Sequence, residues 1–301
     1  MFTIDQFEPL IEMEKDMLFH VLKGTLLPTD HTAYKTVQNV ITQILKENAN
    51  APNVRQRKWR ISVVESEQQN AFVMPTGHIF VFSGILEIAK NENQLAVVLG
   101  HELSHALLDH VVELHSLQFC TEVGALAFVT WLWSVLASKW VAFFATVLMY
   151  KAIKVAFILP RHRLLEREAD TVGLNLTAKA CFDVRENSVF WTRMQLLGAI
   201  SDKAREHHVG DTARTILSYL STHPSHEERA NLLNAATPKA IELRQKCNCP
   251  PLTTADASSD LDKLKILLAK AKPARHTGDK SKNDWEPYVW DVNISTSAKP
   301  S

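Results

Sequence analysis

Two histidines four positions apart, His101 and His105, bracket a glutamate in the string His101-Glu102-Leu103-Ser104-His105. Residues at that spacing share one face of an α-helix, with Cβ atoms about 5–6 Å apart. Two imidazoles so placed can converge on one divalent ion, and zinc accepts histidine nitrogen at about 2.0–2.1 Å. Glu102 is too close in sequence to join them as a ligand. It is placed instead to take a proton from a water that the metal has acidified, as that water attacks a peptide carbonyl. The string lies among Val97, Val98, Leu99, Leu103, Ala106, Leu107 and Leu108. Imidazoles and a carboxylate in so apolar a helix are costly without a compensating partner.

A hydrolytic zinc needs a third protein ligand and one open position. One class of such enzymes draws it from a histidine six residues after the second, with a glycine between. Those positions here are Val111 and Leu108, which excludes that class. The segment LLEREAD, from Leu164, offers a carboxylate instead. Glu166 and Asp170 share a helical face, so Glu166 is the expected third ligand. Asp170 can hold the second ring nitrogen of a metal-bound histidine. Ala169 leaves room for two helices to pack closely. Glu168 points elsewhere and reads as a solvated charge.

These residues need elements to carry them. Residues 33–46 have apolar positions at helical spacing. Three short strands are predicted near Trp59–Val64, Ala71–Met74 and His78–Phe82, the last two joined through Pro75, Thr76 and Gly77. Residues 92–114 read as one long helix carrying the histidine pair. Helical patterns return at 161–180, at 186–198 and from Thr222, where Ser225 and Glu228 have capping-box spacing. A short helix from Asp260 is a further expectation.

Four strings occur in order: NAFVMPTGHIFVFSGIL from Asn70, LGHELSHALLDH from Leu99, LLEREADTVGLNL from Leu164 and STHPSHEERA from Ser221. Together they resemble the integral-membrane zinc endopeptidases that include the CAAX prenyl proteases and the bacterial heat-shock protease HtpX. The strings TAKACFDVRENSVFW and KCNCPPL are similar to the mitochondrial inner-membrane branch of that group. The resemblance implies a gluzincin-type fold, mainly α with a small β-sheet (α+β). It implies one zinc per chain on His101, His105 and Glu166, with Glu102 as general base. It implies that the strand region with Asn70, Ala71 and Gly77 borders the cleft, where an open edge can pair with an extended substrate. His223, in a His-Pro pair, would donate to the developing oxyanion or orient substrate, and Arg229 would buttress the site through a carboxylate. His110, His115, His207, His208 and His226 read as surface or structural. A mitochondrial inner-membrane location, protein quality control and stress-triggered cleavage of a dynamin-like GTPase are likewise implied. Two rivals remain: a prenyl-protein protease and a catalytically silent, metal-stabilised scaffold.

Formal net charge is zero, with 33 basic and 33 acidic residues, so no electrostatic footprint for nucleic acid is present. The expected partners are protein substrates, a lipid membrane and a possible homo-oligomer. Residues 123–159 are the compositional outlier, with Lys139, Lys151 and Lys154 as their only charges. About 60 residues separate His105 from Glu166. Both must reach one ion, so a single membrane crossing is impossible, and the expectation is an apolar helical hairpin at roughly 123–160 that spans or dips into a membrane. The expected metallopeptidase domain covers 1–248, followed by a weakly structured tail, 249–301. The first 16 residues are acidic and have neither a signal-peptide nor a transit-peptide pattern. The four cysteines form no framework of the small secreted kind, and Cys247 and Cys249 read as ordinary thiols.

Overall fold

Helix α1 (Ile4–Val21) and helix α2 (Thr32–Glu47) precede a three-stranded sheet, β1 (Arg60–Val64), β2 (Ala71–Val73) and β3 (His78–Phe82). The computed structural model describes residues 2–206, 227–253, 261–262 and 265–266. The strand order is β1-β3-β2, with β1 parallel and β2 antiparallel to β3. β3 is buried along its whole length because both faces of the sheet are covered. Alternation sends Ile79 and Val81 into the main core with Val63, Ala71 and Val73. The opposite face, Phe80 and Phe82 with Val64 and Met74, packs on Ile11, Phe7, Leu18 and Phe19 of α1. The sequence reading did not anticipate α1, because its apolar stripe is broken by acidic residues and acquires meaning only against the sheet.

His78 sits on that second face, stacked on Phe80 at 4.4 Å between ring centroids, with Nε2 2.9 Å from Ser62 Oγ. Burial, with Arg60 and Lys15 nearby, lowers its pKa to about 4. The unfolded chain therefore binds a proton near pH 6.5 that the folded chain refuses until about pH 4. This contribution is favourable above pH 6.5 and is lost as pH falls towards 4. Denaturation midpoints measured down that window should fall more steeply for the wild type than for His78→Phe; parallel curves would refute the assignment.

Helix α3 (Gly84–Ile88) leads into α4 (Glu92–Leu107), which is capped by the Asn91 side chain on the Gln94 N–H at 2.8 Å. α4 is the central helix: every residue from Gln94 to Ser104 is buried. It packs against α2, β2 and α7 (Leu159–Lys179). The approach to α7 is set by two glycines. A Cβ on Gly173 would lie 2.9 Å from the His101 backbone nitrogen and 3.0 Å from the Gly100 carbonyl oxygen, so any side chain there would push the helices apart.

The expected single helix over 92–114 is broken. Asp109 adopts a left-handed conformation (φ 58) and α5 (His110–Val135) leaves α4 at 52°. Arg57 holds the joint, donating to Asp109 Oδ1 at 2.5 Å and to the Pro75 carbonyl at 2.8 Å. α5 and α6 (Lys139–Ile153) then form a hairpin, with Trp133 Nε1 donating to Thr146 Oγ1. α6 continues through a π-helical turn (Lys154–Ile158) into α7. Lys139–Lys179 is thus one helix of 41 residues, and an 18-residue window with mean hydropathy 1.8 is only 6% buried. Trp131, Trp133, Trp140, Phe143, Phe144 and Leu148 are exposed along the hairpin. Arg161 bonds Glu113 and ties α7 to α5 at its base.

α8 (Glu186–Glu206) and α9 (Glu227–Lys246) complete the described helices. The thiol reading of Cys249 is corrected: it is disulfide-bonded to Cys181, 68 positions earlier, while Cys120 and Cys247 are free. Spacing could not reveal the pair, because α8 and α9 must first fold back to bring the end of α7 beside residue 249. Arg244 donates to the Phe182 and Cys181 carbonyls, and Arg185 to that of Thr253.

Candidate metal centre

α4 presents His101 and His105 towards α7, and α7 presents Glu166 back. His101 Nε2 and His105 Nε2 are 3.1 Å apart, and each lies 3.4 Å from a different Glu166 carboxylate oxygen. Ligands bound at about 2.0–2.2 Å to a tetrahedral ion lie about 3.3–3.6 Å from one another. The three donors therefore already stand near the separations that one zinc-sized ion requires. The set is two imidazole nitrogens and a carboxylate, which zinc takes readily.

The surroundings define which imidazole nitrogen faces the ion. Asp170 Oδ1 lies 3.0 Å from His101 Nδ1 and takes its proton in a hydrogen bond, leaving the Nε2 lone pair for a metal. Arg229 grips Asp170 with two bonds of 2.7 Å, from Nε and Nη2, and reaches Glu166 with Nη1 at 3.0 Å. Its guanidinium lies 3.7 Å above the Trp191 ring. Burial opposes an imidazolium at His101, but bonds to Asp170 and Glu166 outweigh it and raise the pKa to about 9. Burial likewise opposes the Asp170 carboxylate, yet Arg229 and His101 hold its pKa below the usual range. The pocket thus favours positive charge at the point where the imidazoles meet.

Glu102 is buried, 2% exposed, one position along α4 from His101. β2, the open edge of the sheet, packs against α4. The bonds from Phe82 N–H to Asn70 C=O and from Met74 N–H to His78 C=O fix the pairing of β2 with β3. In an antiparallel ladder the intervening residues, Ala71 and Val73, turn their backbone groups outwards. The Asn70 side chain accepts the Ala71 N–H at 2.9 Å. Gly77 (φ 92) donates to the Met74 carbonyl and accepts from the Arg60 N–H, so its backbone groups serve the turn and the sheet. His223 lies outside the described residues, as do His207, His208 and His226.

Two further side chains stand beside the histidine pair. His110, read as surface or structural, is 2% exposed, with Nδ1 2.9 Å from His105 Nδ1. Glu168, read as a solvated charge on another side, is half-exposed and lies 3.5 Å from His110 Nε2. On a continuous helix a residue five positions after His105 points well away from it. The bend at Asp109 brings it back, and nothing in the local pattern announces that bend.

A family model described as peptidase family M48 matches residues 35–237. The chain belongs to peptidase family M48. The match runs from α2 into α9 and contains His101, Glu102, His105, Glu166, Asp170 and Arg229. Among similar proteins, "Metalloendopeptidase OMA1, mitochondrial" of Homo sapiens is 34% identical over 252 residues, which is 84% of this chain and 46% of that protein. The Danio rerio protein of the same name is 33% identical over 282 residues, 94% of this chain and 57% of its own. "Mitochondrial metalloendopeptidase OMA1" of Saccharomyces cerevisiae is 29% identical over 231 residues, 74% of this chain and 61% of its own. The chain spans about half the length of the vertebrate relatives it matches.

Proposed function

We propose that this M48 chain is a zinc-dependent endopeptidase of the mitochondrial inner membrane that cleaves membrane-proximal or misfolded proteins. The carrying observation is the convergence of His101 Nε2, His105 Nε2 and Glu166, within 4.8 Å of one another, beside Glu102. When bound, the zinc supplies Lewis acidity, polarising the scissile carbonyl and making water a stronger acid. The chain's own groups do the rest. His101 and His105 offer Nε2 lone pairs, and Asp170 keeps the His101 proton on Nδ1. Arg229 holds the carboxylates of Glu166 and Asp170 in register through buried, charge-assisted bonds. The Glu102 carboxylate accepts the proton of the attacking water and returns it to the leaving amine. The outward carbonyl of Ala71 and the outward groups of Val73 align an extended peptide by backbone pairing, which reads chain shape rather than sequence. His223 is proposed to assist the oxyanion.

The exposed apolar hairpin α5–α6 supports the membrane reading. Its two ends carry His105 and Glu166 back to one point, so the hairpin enters and leaves by the same side. Trp131, Trp133 and Trp140 suit an interface, and Lys139, Lys151 and Lys154 can extend their charges to it. The mitochondrial location is proposed from the resemblance and the relatives' names, and a dynamin-like GTPase among the substrates from the resemblance alone.

Purified protein should contain one zinc per chain and hydrolyse casein. Strong chelation should abolish that activity, and stoichiometric zinc should restore it. The same preparation should float with liposomes and need detergent to stay dispersed. Activity that survives complete zinc removal would end the metal reading, and a soluble monomer without detergent would end the membrane one.

A further inference from the structure

We propose that His110 is a positioning residue for the metal centre, fixing the proton and ring orientation of His105 and relaying that hold to Glu168. The inference rests on the zinc reading of the site. It begins from an asymmetry between the two imidazoles. His101 has a carboxylate directly on its outer nitrogen, Asp170 at 3.0 Å. His105 has a second imidazole there instead, with His110 Nδ1 2.9 Å from His105 Nδ1. The rings meet nearly edge-on, at 77° and 4.9 Å between centroids.

The direction of that bond follows from the donor set. His105 Nε2 faces His101 and Glu166, so a cation there requires its lone pair. The single proton of a neutral His105 must then sit on Nδ1 and be donated outwards. His110 Nδ1 is the acceptor, which places the proton of His110 on Nε2. That nitrogen is buried, faces Glu168 Oε2 at 3.5 Å and has no hydrogen-bond partner among the described residues. The reverse polarity would put the His105 proton on Nε2 and block the ion. The chain is therefore carboxylate, imidazole, imidazole, metal. The partners of metal-bound histidines both orient the ring and raise its basicity.

The backbone is shaped for this contact. Asp109 takes its left-handed turn immediately before His110, and Arg57 clamps the Asp109 carboxylate. His110 opens α5, so the same bend that starts the apolar hairpin sets the imidazole on His105.

The test compares zinc affinity, by competition with a chromogenic chelator at high salt, for the full chain in detergent. His110→Leu keeps bulk but cannot accept a bond; it should raise the zinc dissociation constant about 10–100-fold. His110→Asn places an amide oxygen near the site of Nδ1 and should restore affinity to within a few-fold of wild type. Glu168→Ala, at a half-exposed position, should weaken binding several-fold. The cobalt-loaded Leu variant should show shifted visible bands, which a smaller folded fraction would not produce, and its kcat per bound metal should fall with KM unchanged. Should the Leu variant fail to fold, Glu168→Ala decides. If wild type binds one zinc and His110→Leu, or Glu168→Ala where the Leu variant does not fold, matches it within about twofold, the positioning role is overturned and the zinc reading stands. If wild type binds no stoichiometric zinc, both fall together.

Discussion

Glu102→Gln is expected to lose peptidase activity by about 10²–10⁴-fold while keeping its full complement of zinc. General-base catalysis contributes about that factor, equivalent to roughly 3–5 kcal/mol of barrier. The carboxamide has the same shape and can still accept a hydrogen bond, but it cannot take a proton from water. Glu102 is not among the residues whose donor atoms converge, so the metal should be unaffected. Because the side chain is buried, a neutral replacement imposes no added desolvation. The measurement pairs zinc analysis with kcat and KM on one peptide substrate. The loss should appear in kcat, since water activation matters in the transition state rather than in substrate binding. A variant that cleaves at the wild-type rate would remove Glu102 from the mechanism.

Arg229→Met should cost about 3–5 kcal/mol of stability in the metal-free chain. Arg229 is 3% exposed and is the shared counter-charge of Asp170 and Glu166. Methionine can keep the contact with the Trp191 ring but supplies no donor. Asp170 would lose both 2.7 Å bonds while remaining buried, and a broken buried pair is costly because of the charge it leaves behind. For a domain of this size the midpoint should fall by roughly 6–20 °C. Arg229→Lys should recover only part, because an ammonium cannot match the two-pronged grip on Asp170. Zinc should lessen the loss, since the ion compensates Glu166. The check is thermal unfolding of both variants in mild detergent, with and without chelator. A Met variant within about 1 kcal/mol of wild type would show that the carboxylates do not depend on this guanidinium.

The chemical identity of the site was already present in short stretches of the chain. His101 and His105, and again Glu166 and Asp170, stand at a helical spacing that puts each pair on one face, and any helix formed there must do so. The strands at 60–64, 71–73 and 78–82 were equally visible, because alternation and a Pro-Thr-Gly connection are local signals. These features depend on backbone periods of 3.6 and 2 residues, which need no knowledge of what lies across the core. The resemblance of four ordered strings implied the pairing of the two helices that bring His101, His105 and Glu166 together.

What only the tertiary structure decided are the features created by contacts between distant segments. α1 gains its meaning from the aromatic face of the sheet. Cys181 and Cys249 meet because intervening helices return the chain to the end of α7. Gly100 and Gly173 matter because two backbones approach where a Cβ would collide with the His101 amide. His110 faces His105 because one aspartate takes a left-handed turn, held by an arginine 52 positions earlier. Periodicity assigns a face to each residue of an unbroken helix. The place where a helix breaks is set by the partners that stabilise the break, and those lie elsewhere in the sequence.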